Sequence, residues 1–285
     1  MNDDPLRYSK HCTFHKSDAN NALEKCVKFL KCRDGDCVMD VGAGEGSVTF
    51  EILVPKLPTN FNKLVLWDVS PKFLHFAKNR THDKRVEFFE QDITTSTIPD
   101  DFRGYFDHIF SFFCLHWIHD WEKSDQAMKN IFDMLKPGGD ILFTLPTHTG
   151  LFDVWRNLAR SEKWSPYFKN VESGTSPYYD INDPAEKMRT SLEAVGFVIH
   201  VCKNEECLYT FPSFDFFFNF AIAINPSLGL ISEDERDDYN HEYAQAIRKH
   251  PNILFEHAGS ENEQVHLPYK RLVVCGFKPA RTTQM

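Results

Sequence analysis

The chain has 285 residues, 42% hydrophobic and 26% charged, with a formal net charge of −9 at pH 7, the composition expected of a soluble globular protein. The acidic excess weighs against a nucleic-acid partner, because tracking a phosphate backbone needs clustered Lys and Arg to replace counterions. No apolar run reaches the roughly 18 residues that cross a bilayer, the polar start Met1–Arg7 has no signal-peptide core, and the eight cysteines include no C-x-x-C pair, so the expectation is a cytoplasmic protein with reduced thiols and no metal site.

Taken in order, Ser17 to Lys31 has the spacing of an amphipathic helix, with Ser17 or Asp18 as its cap. Cys37–Val41 is a short apolar strand that runs through Asp40 into Gly42-Ala43-Gly44-Glu45-Gly46, and Ser47–Leu53 then takes up helical spacing. Glycine at alternate positions lets a ligand approach the backbone and accepts unusual dihedrals. The same loop can also be an ordinary turn, so its meaning depends on the strands downstream of it. Strands are predicted at 63–68, 86–90, 106–112 and 140–145, with helices at 71–79 and 123–135, the latter ended by Lys136-Pro137-Gly138-Gly139. Strands alternating with helices at this interval predict a parallel α/β sheet with helices on both faces, whose ligands bind at the carboxyl ends of the strands. Beyond Pro146 the rhythm changes. Residues 147–182 carry many aromatics among turn formers, followed by a helix at 186–196, a strand at 197–209 and a phenylalanine-rich helix at 214–222. An exposed acidic helix at 233–249 and a strand at 269–277 close the pattern. The chain holds 26 Phe, an excess that points to a large apolar surface beyond an ordinary core.

Three strand ends carry acids. Asp40 ends the first strand. Asp68 ends the second, where a carboxylate can accept from both hydroxyls of a ribose. Asp92-Ile93 follows the third, where a carboxylate can accept from an adenine amino group while the apolar neighbour packs on the ring. Each acid alone reads as a cap or turn residue; three in succession after a D-x-G-x-G-x-G loop read as a nucleoside site.

This ordered set resembles the motifs of the class I S-adenosylmethionine (SAM) methyltransferases across residues 36–146. The resemblance implies a Rossmann-like, mostly parallel seven-stranded sheet with a helical and aromatic cap. It implies SAM as cofactor, with Asp40, Gly42 and Gly44 around the methionine end, Asp68 at the ribose and Asp92 with Ile93 at the adenine. Ala43, Val69, Ser111 and Phe112 complete the implied cofactor contacts, and no metal is implied. A narrower likeness runs nearly end to end. Phe106–Ile118, Phe152-Asp153-Val154-Trp155, Ser176-Pro177-Tyr178, Ala223-Ile224-Asn225-Pro226 and Pro268-Tyr269-Lys270 resemble the insect juvenile hormone acid methyltransferases. That family methylates the carboxylate of farnesoic acid or juvenile hormone acid, so a small hydrophobic carboxylic acid is the implied substrate and Trp117 matches a family tryptophan facing it. The implied organisation is a single domain: residues 1–35 a helical cap, 36–146 the SAM core, 147–285 the substrate cap and the rest of the sheet.

One position departs from the family. Where the family has Gln before its first long helix, this chain has His15, followed by Lys16-Ser17-Asp18-Ala19. Facing a substrate anion, His15 is expected to be held as imidazolium. No general base is required, since a carboxylate is already ionised at neutral pH. Two other readings stay open: methylation of another small acid or a phenol, with His15 or His116 as base, and a hydrophobic-ligand-binding protein that keeps the fold without catalysis.

Overall fold

The structure, a computed structural model, describes residues 4–168 and 170–280; Met1–Asp3 of the polar start lie outside the described residues. The chain forms two compact units. One comprises His15–Leu145, Asn182–Asn204 and the chain from Leu272 on; the other comprises the segment ending at Phe14, Pro146–Ile181 and Glu205–Arg271.

Among the described residues the eight strands are β1 (Cys37–Val41), β2 (Lys63–Asp68), β3 (Val86–Glu90), β4 (Phe106–Phe112), β5 (Leu135–Thr149), β6 (Val198–Phe211), β7 (Leu254–Glu256) and β8 (Gln264–Phe277). They join in the order β3-β2-β1-β4-β5-β8-β6, with β7 added on β8. Seven strands thus make the continuous path, as the motifs implied, and the short β7 is an eighth. The β1, β2, β3, β4 and β5 pairings are parallel, so their carboxyl ends lie at one edge. Every residue of β1 is buried, which explains why the residues around Asp40 are apolar on both faces of the strand. The order reverses at β1, where the chain winds outward to β2 and β3 and then returns to β4; such a switch point opens a crevice at the strand ends.

The helices are α1 (Pro5–His11), α2 (Thr13–Cys26), α3 (Pro71–Lys78), α4 (Trp121–Met134), α5 (Gly150–Arg160), α6 (Pro184–Val195), α7 (Phe214–Ile224) and α8 (Arg236–Lys249). α2 begins four residues before the expected cap, and Asp18 is a buried mid-helix residue rather than a terminus. After the glycine loop the backbone widens into a π-helical turn at Thr49–Leu53. Asp120 caps α4 by accepting from the amides of Glu122 and Lys123. Gly196, at φ +115°, closes α6. α5 lies where only aromatics and turns were expected, although Leu151, Phe152, Trp155, Leu158 and Ala159 are buried at helical spacing. The acidic α8 is not an exposed helix: Tyr239, Tyr243 and Ile247 bury one stripe at four-residue intervals.

In the second unit the phenylalanine excess becomes core. Phe14 is ringed by Tyr209, Phe211, Phe220 and Tyr269 at centroid distances of 4.8–6.3 Å. The buried face of α7 carries Phe217, Phe220 and Ala221. Phe214 and Phe218 are only half-buried and stack on each other at 5.7 Å with Arg248 over Phe214. Trp155 Nε1 donates to the Tyr243 hydroxyl at 2.7 Å, and Trp164 Nε1 donates to Glu242 at 2.7 Å, satisfying the polar atoms that enclosed rings bring with them.

His108, to which the sequence assigns no role, ties the amino ends of the sheet strands. Its Nδ1 meets Asp140 at 2.7 Å and its Nε2 meets Asp36 at 2.8 Å. Burial alone would lower its pKa, but the Asp140 carboxylate outweighs this and, with Cys32, raises it to about 11. The folded state therefore keeps a proton that the unfolded chain sheds above about 6.5, so this contribution is complete below that pH and lost as pH climbs toward 11. Replacing His108 with Gln, which leaves a carboxylate facing an amide oxygen, is expected to cost about 3–5 kcal/mol at pH 6. The gap from wild type should narrow at pH 9–10. Urea unfolding at both pH values checks it, and equal gaps would refute the charged pair.

Candidate active site

The glycine loop is shaped by what it must avoid. Gly42 has φ +74°, and a Cβ there would lie 2.2 Å from both Cβ and Sγ of Cys114. Glycine is thus required twice, by dihedral and by space. The loop is also tied to β2: the Gly42 amide donates to the Trp67 carbonyl at 2.7 Å and the Gly44 amide to Asp68 Oδ2 at 2.8 Å. Asp68 Oδ1 accepts from the Ser70 amide at 2.9 Å. From outside the loop, Arg80 donates to Ser47 Oγ at 2.5 Å and to the Glu45 carbonyl.

The four strand ends open onto one cavity of about 380 Å³ within the unit that holds β1 to β4, in the range of small-molecule sites. Of the expected site residues, Gly42, Asp68, Val69, Asp92, Ile93 and Trp117 line it. The others lie behind that surface. Asp40 is buried and accepts from Thr49 Oγ1 at 2.6 Å. Burial raises its pKa to about 7, the Thr49 bond opposes the rise, and the charges of Asp68 and Glu45 add to it. Burial also raises the Asp68 pKa, against the amides of Ser70, Gly44 and Val69. Ser111 spends its hydroxyl on the Val41 carbonyl at 2.9 Å, so it braces β4 against the end of β1. Phe112 is packed in the core, and Ala43 and Gly44 shape the loop.

The cavity also takes Cys114, Gln91, His119 and Lys123. No motif marked Gln91, His119 or Lys123. Cys114 alone left a trace, as the small residue following β4, where the chain must pass Gly42. Burial, with the nearby Asp68 and Asp40 carboxylates, pushes its thiol far up, which leaves it a neutral packing group.

His15 is buried with its ring 4.4 Å from Phe113. Burial lowers its pKa to about 3, so in the free protein it is neutral imidazole; the imidazolium was expected against a bound substrate anion. Phe113 has φ +52°, a conformation that bulky side chains rarely adopt. Its amide donates to the Thr144 carbonyl at 2.8 Å. This bend starts the turn carrying His116 and Trp117, whose rings are 4.5 Å apart. His116 is likewise buried and held neutral, by burial first and by His15 and His119 next. His15 and Trp117 therefore flank one strained turn, and Trp117 faces the cavity.

The arrangement suits a nucleoside-bearing cation: a bare glycine backbone, buried carboxylates behind it, and an acid at each of two further strand ends. The methyltransferase domain family matches residues 39–141, the segment that builds the cavity. The fold is similar to that of the YcgJ protein from Bacillus subtilis, with a TM-score of 0.58 and 14% identity over 91% of this chain and 98% of that one. The family match marks a methyltransferase domain, and with the curated relatives it defines a SAM-dependent methyltransferase, with SAM as cofactor. The sequence goes further. It is 35% identical over 243 residues to the juvenile hormone acid O-methyltransferase of Bombyx mori, covering 85% of each. It is 29% identical over 267 residues to that of Drosophila melanogaster, covering 92% of this chain and 88% of that one. The chain belongs to the juvenile hormone acid O-methyltransferase family.

The Gly42 geometry gives a direct test. Gly42→Ala places a methyl against Cys114 and forces φ +74°, at a cost of roughly 1–3 kcal/mol from the dihedral alone. S-adenosylhomocysteine (SAH) affinity should fall at least about tenfold, and adding Cys114→Ser should not restore it, because the Cβ contact remains. Calorimetry that found wild-type affinity in Gly42→Ala would contradict the loop geometry.

Proposed function

We propose that the protein transfers the methyl group of SAM to the carboxylate of an apolar acid of the farnesoic or juvenile hormone acid type. The observation carrying this reading is the extended match to relatives named for juvenile hormone acid methylation, together with Trp117 on the cavity wall and a neutral His15 packed on Phe113 of the same turn.

In this reading Gly42 and Gly44 admit the methionine end of the cofactor, and Asp40 supplies negative charge behind them. Asp68 receives the ribose hydroxyls through lone pairs left over from its two amide bonds; an ionised carboxylate has about four such sites. Asp92 and Ile93 hold the adenine. Bound SAM would supply an electrophilic methyl group on its sulfonium sulfur, and a carboxylate could accept it with no proton to lose. The protein's task is then orientation, worth roughly 7–11 kcal/mol when the reacting atoms are held in line. His15 serves as the family glutamine does: a neutral N–H donor to the substrate carboxylate. Trp117 fixes the other side of that carboxylate. No membrane span is needed for such a substrate, and among the described residues no helix is long and apolar enough to form one.

Methyl transfer from labelled SAM to a panel of farnesoic, fatty and aromatic acids and phenols tests the reading. Sesquiterpenoid acids should be esterified fastest; turnover of a phenol with none of any acid would reject it. His15→Gln should keep activity and His15→Ala should raise the Michaelis constant for the acid about tenfold, the scale of one lost hydrogen bond to a charged group. Because burial keeps His15 neutral well below pH 5.5, the wild-type and His15→Gln constants should run parallel from pH 5.5 to 8.5. A wild-type constant that alone rises with pH would mean that His15 acts as a cation.

A further inference from the structure

We propose that Asn130 of α4 is a positioning residue for the adenine end of the site, an inference that rests on assigning Asp92 and Ile93 to adenine. Asn130 is 3% exposed. Its Nδ2 donates to the Ile93 carbonyl at 2.7 Å and to the Thr95 carbonyl at 2.8 Å. Its Oδ1 accepts from Gln126 Nε2 at 2.9 Å, one turn earlier on the same helix. An amide nitrogen has two hydrogens, and both are spent on carbonyls of a single turn. The Gln126 bond fixes which way round the amide sits.

The turn it grips is the one that carries the adenine contacts. The Thr94 amide closes it onto Asp92 Oδ1 at 2.8 Å, and the Thr95 amide onto the Asp92 carbonyl at 3.1 Å. Asp92 Oδ2 makes no hydrogen bond among the described residues and is left to accept the exocyclic amino group. Ile93 is buried yet lines the cavity. A turn closed only on itself can swing as a body. Asn130 prevents this by clamping its two carbonyls to a helix that also supplies Lys123 to the cavity wall. Positional error of about 0.5 Å is enough to degrade such a contact.

The role is separable from ordinary stabilisation by ligand discrimination. SAH presents an amino group to Asp92, whereas S-inosylhomocysteine presents a carbonyl oxygen, which a carboxylate repels. Calorimetry on the full chain should show wild type preferring SAH by about tenfold or more, since a site built for a donor rejects an analogue lacking it. Asn130→Ala should reduce that preference to within about threefold, while the Michaelis constant for the acid at saturating SAM stays within about twofold. A folded Asn130→Ala that weakens both ligands equally and keeps the full preference overturns the proposal. If Asn130→Ala does not fold, Gln126→Met decides: a preference reduced about twofold or more supports the clamp, and an unchanged preference overturns it. Wild type without any preference would remove the adenine assignment itself, and the clamp with it.

Discussion

One carboxylate holds the site in shape. Asp68 accepts from the Gly44 amide with one oxygen and from the Ser70 amide with the other, so the end of β2 fixes both the glycine loop and the start of α3. The neighbouring Trp67 carbonyl takes the Gly42 amide as well. These bonds keep Gly42 at its positive φ and in contact with Cys114, and therefore keep the backbone bare where a ligand must reach it. Without them the loop would lose its register with β2, and the buried carboxylates behind it would face no ligand. Those carboxylates are costly in the free protein. Burial raises the pKa of Asp40, Asp68 and Glu45 alike. In the proposed complex a sulfonium cation offsets part of that cost, which would make the site selective for SAM by charge as well as by shape.

The aromatic half of the chain obeys a different constraint. Its large rings carry polar atoms that must be satisfied once enclosed, and Trp155, Trp164, Tyr239 and Tyr243 meet that demand through one another, Glu242 and Asn225. The phenylalanines of α7 divide accordingly: Phe217 and Phe220 are core, and Phe214 and Phe218 form a stack under Arg248.

Much of this could be read from the residues. β1 to β4 are short and mostly apolar at their centres, so period and breakers located them, and the acids at or just past the ends of β1, β2 and β3 gave the cavity its chemistry. β5 instead runs from Leu135 to Thr149, through the Lys136-Pro137-Gly138-Gly139 stretch expected to precede it. What escaped detection depends on contacts distant in sequence. The spacing of α5 was masked by the polar and glycine residues among its aromatics. α8 looked exposed because the predicted span 233–249 holds six acids against the three residues the helix buries. The neutrality of the free His15 was not legible because a sequence shows the substrate's charge but not the dryness of the surroundings, and burial lowers its pKa. Ser111 fell within a motif, yet its hydroxyl is committed to Val41, a bond only the β1 and β4 pairing creates. Asn130 sits on an ordinary helix face, with nothing to mark it until the turn at residues 92–95 folds against it.

The central claim is that the ends of β1 to β4 form the cofactor site. Hydrogen exchange with and without SAH tests this most directly, because amides that a ligand orders or covers exchange more slowly. Slowed exchange is expected in peptides spanning residues 41–47, 68–70, 91–95 and 113–119, with little change at residues 198–211. Slowing confined to residues 147–181, with the glycine loop unaffected, would contradict it.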